Sequence, residues 1–397
     1  MKGAKLRVIC FNDFFSANLG DRLLGRCLHD ALRGELGARV DGWDIDGKSE
    51  PASDEPASPW TARQLIRPLV PRRVKTRLNV RRARNRLLSQ WKTEINGTPV
   101  SAIVVGGGHL LTGTTEYFPA RLNAVAELAR ALGVGIHVHS VGVSHPETWE
   151  AAAGEELRRF LHAAPIASIS VRDEQSADHL NTAGLARTDI RIAPDPGLLA
   201  ARTFGAKKRS PRERPRIGLG IMSRATVSSI RSEPSGITDQ FWIDAARQLT
   251  ASGADISLFT TGELGDIRAA RRISELLSNS GIAHNASAIA PEDDADLVDH
   301  LAGLDAILAQ RLHASIISYA LGVPSVGLGW DPKVRAFYRL TNRIDYFLDD
   351  REAHPEDAAT RVLEAARDGL DDALRAGHIE ACHQGIRSLA ELITQGR

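Results

Sequence analysis

The sequence predicts an α/β protein built from two Rossmann-like domains facing a cleft, and three observations carry that prediction. Short apolar runs of strand length alternate with amphipathic helical patterns along most of the chain. Strands and helices in such alternation form parallel sheets covered on both faces. The alternation stops at a polar stretch with two prolines, 207–216, and then begins again. The 397 residues suit two domains at about 100–200 residues each.

The elements follow in order. Leu6–Phe11 is an apolar strand, followed by a loop with Asn18, Gly20 and Asp21, and by a helical pattern through Leu23, Leu24, Cys27, Leu28, Ala31 and Leu32. An insertion at about 46–96 interrupts the pattern. It opens with Pro51, Pro56 and Pro59, and no acidic residue occurs between Glu55 and Glu94. After Pro71 it reads as a basic amphipathic helix. Strands are expected at Ala102–Val105, Gly135–Val141, Ala167–Val171 and Ile190–Ala193, with helices at Pro119–Leu132, Glu150–Ala163 and Asp173–Ala183. This first domain spans 1–206, with 207–216 as linker. The second, 217–350, has expected strands Ile217–Ile221, Ile256–Thr260, Ala306–Ala309 and Ser325–Leu328. Its helices are Asp239–Ala251, Gly265–Ser278, Asp293–Ala302 and Leu312–Leu321, with one more after Asp331. A helical tail, 351–397, completes the chain.

Composition narrows the function. Fifty Lys+Arg against 49 Asp+Glu give a net charge of +1, which argues against a general nucleic-acid binder. Three cysteines are no disulfide framework, so a cytoplasmic location is expected. The apolar run after the basic start is too short for a signal peptide, and no run reaches the roughly 18 apolar residues of a membrane span. The basic segment 63–92 has two readings. It is a surface for anionic lipid at the inner membrane face, or a solvated helix whose apolar stripe packs on the domain.

In open α/β sheets, ligands bind beyond the carboxyl ends of the strands. Arg311-Leu312-His313 stands at such an end, where a helix begins. The free N–H groups of a helix start favour an anion, Arg311 can add a bidentate contact, and His313 can move a proton near neutral pH. Arg311 paired with a structural carboxylate is the competing reading. Arg172 beside Asp173 has the same kind of address. Asp195, between Pro194 and Pro196, is a candidate base or a loop-closing residue. Arg224 and Lys333 also follow strands. Gly106-Gly107-Gly108 lets a backbone approach a ligand, with His109 next to it, but no P-loop Lys follows. His137 and His139 alternate on one strand and lack obvious further ligands, so no metal site is expected.

Taken as an ordered set, these motifs resemble the polysaccharide pyruvyl transferase family. The resemblance is carried by Asn18-x-Gly20-Asp21, Val104-Val105-Gly106-Gly107-Gly108, Ser170-Val171-Arg172-Asp173-Glu174-x-Ser176 and Pro194-Asp195-Pro196. Further along it is carried by Arg311-Leu312-His313-Ala314, Gly322-Val323-Pro324 and Asp331-Pro332-Lys333. It implies a GT-B-like fold and transfer of a pyruvyl group from phosphoenolpyruvate to a sugar as a ketal, with no cofactor beyond the donor. His313 is then the general acid or a phosphate ligand, and Asp21 or Asp195 the base for the sugar hydroxyl. Arg311 and Leu312 at the helix start hold the donor's anionic groups. Arg172, Arg224 or Lys333 supplies a second cation, and Asn18, Gly20, Gly107, Gly108 and His109 line the substrate site. The resemblance also implies a sugar acceptor of the kind often linked to a polyprenyl diphosphate, in the synthesis of a bacterial exopolysaccharide or surface glycan. Two other readings fit the sequence: a GT-B nucleotide-sugar glycosyltransferase, and a non-catalytic binding subunit of a glycan pathway.

Overall fold

The computed structural model describes residues 6–49, 72–95, 97–185, 189–206, 213–230 and 234–396. Residues 50–71 of the expected insertion and 207–212 of the expected linker lie outside them. The chain divides into two compact units. One holds residues up to Ser16, Leu24–Pro196 and Ala381 onward; the other holds Ala17–Leu23 and Gly197–Glu380.

The first unit contains a six-stranded parallel sheet. Its strands are β1 (Arg7–Asn12), β2 (Arg39–Asp44), β3 (Ala102–Gly106), β4 (Ile136–Val141), β5 (Ile166–Val171) and β6 (Arg191–Ile192), in the order β2-β1-β3-β4-β5-β6. β1, β3 and β4 are buried along their whole length; β3 reads as an unbroken apolar run, whereas β4 carries the buried His137, His139 and Ser140. β2 is a strand the sequence did not show. At this edge only Val40 and Asp44 are buried, so pairing with β1 decides it and no apolar run announces it. The helices of this unit are α1 (Leu19–Leu36, from Leu24 on), α2 (Arg72–Ile95), α3 (Tyr117–Leu132), α4 (Ala151–Ala163) and α5 (Glu174–Thr182). Glu150 and Asp173 cap α4 and α5 by accepting N–H bonds from the first turn.

Helix α2 settles one half of the basic-segment question. Val80, Leu87, Trp91 and Ile95 are buried, and the Trp91 ring lies 4.7 Å from that of Phe11. From Val80 to Ile95 the apolar side chains therefore pack in the core, while Leu78 is exposed. Several of its arginines are paired: Arg77 with Glu155 at 2.8 Å and Arg84 with Glu127 at 2.8 Å. Arg81 and Arg82 remain exposed.

The second unit has its own six-stranded parallel sheet, in the order β12-β11-β10-β7-β8-β9. These strands are β7 (Arg216–Gly220), β8 (Asp255–Phe259), β9 (Asn285–Ala288), β10 (Ala306–Ala309), β11 (Ser325–Gly329) and β12 (Phe347–Asp349). Its helices include α6 (Ala200–Phe204), α7 (Arg224–Ile230), α8 (Asp239–Ala251), α9 (Leu264–Asn279), α10 (Asp294–Ala302), α11 (Leu312–Ala320) and α12 (Pro332–Leu340). The strand order reverses between β1 and β3 in one sheet and between β7 and β10 in the other. These are the switch points at which open α/β sheets place ligands.

The tail does not form a unit of its own. Helix α13 (Pro355–Asp368) puts Ala358, Ala359, Val362 and Ala365 into the core of the second unit. Helix α14 (Asp372–Gln395) begins in the second unit and from Ala381 belongs to the first, where Cys382, Ile386, Leu389 and Ile393 are buried.

Candidate active site

In the second unit the starts of four helices, α11, α1, α9 and α12, contribute side chains. β10 is an apolar strand, and the chain turns at Gln310-Arg311 into α11, so His313 stands in the first turn with Arg311 at the cap. The start of α1 is grouped with this unit. Asn18 holds it: its side-chain oxygen accepts from the Gly20 N–H, and its carbonyl accepts from the Asp21 and Arg22 N–H groups. The Leu19 N–H donates to the Thr261 carbonyl at 2.7 Å.

That anchoring places the Asp21 carboxylate 3.1 Å from His313 Nδ1. Gly20 makes the approach possible, because a Cβ there would lie 2.6 Å from His313 Cβ. The Asp21 side chain is 30% exposed and that of His313 12%. Burial pushes the Asp21 carboxyl upward. The charge and hydrogen bond of His313, with the charges of Arg311 and Lys333, outweigh it and hold the group below the usual carboxylate range. A carboxylate on Nδ1 orients the ring and leaves Nε2 to face a substrate.

Arg311 is held by Asp266 in the first turn of α9. Asp266 Oδ2 lies 2.8 Å from Nε and 2.7 Å from Nη2, and Oδ1 accepts from the Ser223 N–H at 2.8 Å. The carboxylate is fully buried. This is the pairing with a structural carboxylate, and it occupies one edge of the guanidinium fork. Lys333, in the first turn of α12, lies 3.3 Å from Asp331 and 4.9 Å from the Trp330 ring centroid. Its charge is also among those that lower the Asp21 carboxyl.

The first unit holds a second cluster. Gly107 and Gly108 have φ of +73° and +80°, a region L side chains avoid, which accounts for glycine there. Gly142 lies between two polar side chains: a Cβ on it would be 2.6 Å from His109 Nδ1 and 2.8 Å from Arg172 Cζ. Arg172 is buried, 3.2 Å from Asp173 and 3.8 Å from the buried Asp195. Ser140, at the end of β4, has φ of +52°, and its hydroxyl donates to the Pro194 carbonyl at 2.9 Å. A non-glycine residue in that region is backbone strain of the kind found at functional sites.

The model of the family described as polysaccharide pyruvyl transferase matches residues 18–332, which span both clusters.

The chain belongs to the polysaccharide pyruvyl transferase family.

No curated protein sequence matches it. Solved structures share its fold. A Listeria monocytogenes protein assigned as a UDP-N-acetylglucosamine 2-epimerase is 12% identical, covers 96% of this chain and 91% of its own, and has a TM-score of 0.56. The UDP-N-acetylglucosamine 2-epimerase of Rickettsia bellii is 10% identical over 99% of this chain and 96% of its own, with a TM-score of 0.53. Phytolacca americana UGT2, solved with UDP-2-fluoro-glucose and pterostilbene, is 10% identical over 97% and 94%, with a TM-score of 0.52. At these identities the likeness is one of fold: two Rossmann-like units of the GT-B type.

In this pyruvyl transferase family member the expected residues fall into two groups. Asn18, Gly20, Asp21, Arg311 and His313 come together in the second unit, with the charge of Lys333 felt there. Leu312 lies beside them, but its side chain is buried in the interior, so only its backbone can face a ligand. Arg224 is exposed at the start of α7, and its charge acts on Asp239. Gly107, Gly108, His109, Arg172 and Asp195 belong to the first unit. Asp266 was not foreseen, and Ser140 and Gly142 stand at a strand end but were given no role. An acidic residue in the turn after a strand, at a helix start, was the one available signal for Asp266.

His137 and His139 are tied to the neighbouring strand. Their Nδ1 atoms hydrogen-bond Ser168 and Ser170 of β5 at 2.8 and 3.0 Å. Among the described residues no group of three His, Cys, Asp or Glu side chains is placed to hold a metal ion. No described helix is long and apolar enough to cross a membrane.

Proposed function

We propose that this family member transfers the pyruvyl group of phosphoenolpyruvate to a sugar as a ketal, with the start of α11 as donor site. The observation that carries the reading is the Asp21–His313 pair at 3.1 Å, beside Arg311 at a helix N-terminus. Phosphoenolpyruvate is a dianion or trianion near neutral pH, and free N–H groups with Arg311 and Lys333 suit it.

The chemistry assigns each group a part. A proton adds to the methylene carbon of the enol, and a sugar hydroxyl oxygen bonds to C2 while losing its own proton. The C2–O bond to phosphate then breaks, a second hydroxyl bonds to C2 and closes the ketal, and its proton goes to the departing phosphate. His313 is assigned the proton transfer at Nε2, with Asp21 offsetting the charge of the protonated ring. A carboxylate held below its usual range is a poor base, so Asp21 is here a positioning residue. Asp195 lies in the first unit beside Arg172 and is given no part in this site. Clamps of this kind act by matching charge as it develops in the transition state. The acceptor is proposed to be a glycan sugar, lipid-linked at the inner membrane face. Liposome flotation of wild type and Arg81→Glu/Arg82→Glu tests the membrane contact; equal flotation, or none by wild type, removes it.

Thermal unfolding with phosphoenolpyruvate, UDP and inorganic phosphate tests the donor. Ligand at about 100 times its dissociation constant adds roughly 2.7 kcal/mol of stability. The proposal expects that gain with phosphoenolpyruvate in wild type and its loss in Arg311→Lys and His313→Asn. A gain with UDP alone favours a nucleotide-sugar transferase, the reading suggested by the fold shared with UGT2. No gain with any ligand favours the non-catalytic reading.

A further inference from the structure

A pocket of about 250 Å³ lies within the first unit, between strands β4 to β6 and the C-terminal part of α14. Its lining includes His139, Arg191, Ile192, Gly385, Ser388 and Leu392. None of these belongs to either cluster described above.

Two features mark it as a built site. His139 is 3% exposed, and its Nε2 is buried without a hydrogen-bond partner among the described residues. Burying an unpaired polar atom costs free energy, so such an atom beside a pocket points to a ligand that completes it. Gly385 keeps the gap open on the facing helix. A Cβ there would lie 2.9 Å from Ala193 Cβ and 3.6 Å from His139 Cε1, the atom next to Nε2.

The hydrogen bonds around the ring decide its tautomer. Ser170 Oγ accepts from the Ser140 N–H at 3.1 Å and lies 3.0 Å from His139 Nδ1. Its hydroxyl proton has no other acceptor among the described residues, so it goes to Nδ1 and Nε2 carries the ring hydrogen. Burial lowers the His139 pKa to about 4, so the ring is neutral near pH 7 and Nε2–H is a neutral donor. The ligand must present an acceptor oxygen to it. Arg191, which also lines the pocket, is exposed and has no ion-pair partner among the described residues. Ile192, Leu389 and Leu392 are among the apolar residues of the lining, with Ile192 half exposed.

We propose that this pocket binds a small organic carboxylate with an apolar body and an acceptor oxygen: the carboxylate on Arg191, the oxygen on His139 Nε2, the body against Ile192 and Leu392. The volume lies below the roughly 300–1,000 Å³ of drug-sized sites, which suits a molecule of about ten heavy atoms.

The rigid probe 4-hydroxybenzoate has this form. Benzoate lacks the acceptor oxygen and 4-hydroxybenzamide lacks the charge. Saturation-transfer NMR and titration calorimetry on the full chain measure all three, with the His139 ring nitrogens followed by ¹⁵N NMR. The expected result is 4-hydroxybenzoate binding at or below about 1 mM, with a shift at His139 Nε2 and about tenfold weaker binding by each control. Arg191→Gln should weaken it by about tenfold, as expected for loss of a charged hydrogen bond. Ser388→Phe, which plugs the pocket from the helix, should abolish it with the melting temperature unchanged. Absence of saturable binding overturns the proposal, as does binding that Ser388→Phe leaves intact. The test requires no turnover, so it stands apart from the proposed reaction.

Discussion

Gly20→Ala tests the architecture of the Asp21–His313 pair, and two effects of opposite sign set its magnitude. Alanine is favoured over glycine in a helix by about 0.5–1 kcal/mol. Against that, the new Cβ would sit 2.6 Å from His313 Cβ and 3.0 Å from Nδ1. Carbon atoms prefer about 3.5–4.0 Å, so a movement of about 1 Å is needed. The atom met is a Cβ, tied to its own backbone, so a rotamer change gives little relief. Overpacking of this kind costs about 1–3 kcal/mol, and the closeness of the contact puts it in the upper part. The net expectation is a loss of about 1–2 kcal/mol, from the two ranges combined. The same 1 Å takes the 3.1 Å Asp21–His313 contact out of hydrogen-bond range. Gly34 is the internal control. It lies on the same helix, is exposed, and has nothing within 4 Å of an added Cβ. Gly34→Ala should gain the propensity alone, about 0.5–1 kcal/mol. Urea unfolding of both variants and wild type reads the difference, and phosphoenolpyruvate stabilisation of each reads the site. If Gly20→Ala is as stable as Gly34→Ala and keeps the ligand response, the close packing has no part in holding the pair.

Asp21→Asn keeps the shape and removes the charge. With Asp21 partly exposed, turnover should fall roughly tenfold to hundredfold while donor binding changes little, as read by kcat against KM. Asp266→Ala leaves the Arg311 charge without its buried partner and the Ser223 N–H without its acceptor, and should lose about 3 kcal/mol of stability in denaturant unfolding. His137 and His139 make stability pH-dependent. Burial lowers each to about 4, with the charge of His137 adding to the effect on His139. The unfolded chain takes up these protons near pH 6.5 and the native one does not. Stability is therefore full above that pH and lost as pH falls toward 4, by about 2 kcal/mol for each histidine at pH 5. His139→Gln should remove about half of the fall in melting temperature between pH 7 and pH 5, and an unchanged slope would refute the assignment.

What the sequence showed and missed follows from burial. β3 and β10 are buried on both faces, so apolarity alone marks them. Helices α4, α5 and α12 begin at capping Glu150, Asp173 and Asp331, local signals that any reader of the chain can find. The missed strands β2, β9 and β12 are sheet edges, short and partly polar. Asn285, Ala286 and Ser287 of β9 are exposed, and only the neighbour's backbone makes them a strand.

The candidate site divides in the same way. The residue types and strand-end addresses of Asp21, Arg172, Arg311 and His313 were legible, because strand-to-helix turns in parallel sheets place them beyond the strand ends. The sequence by itself determined the α/β class, most of the elements in chain order and the family motifs. Only the tertiary structure decided the partners: Asp21 on His313, Asp266 on Arg311, and Leu312 turned inward. It also decided that the start of α1 packs with the second unit and the end of α14 with the first. The reason is physical. Strand and helix periodicity is written in neighbouring residues, whereas a side-chain pair 3 Å apart is set by the packing of helices remote in sequence, where one Cβ at Gly20 would be enough to part them.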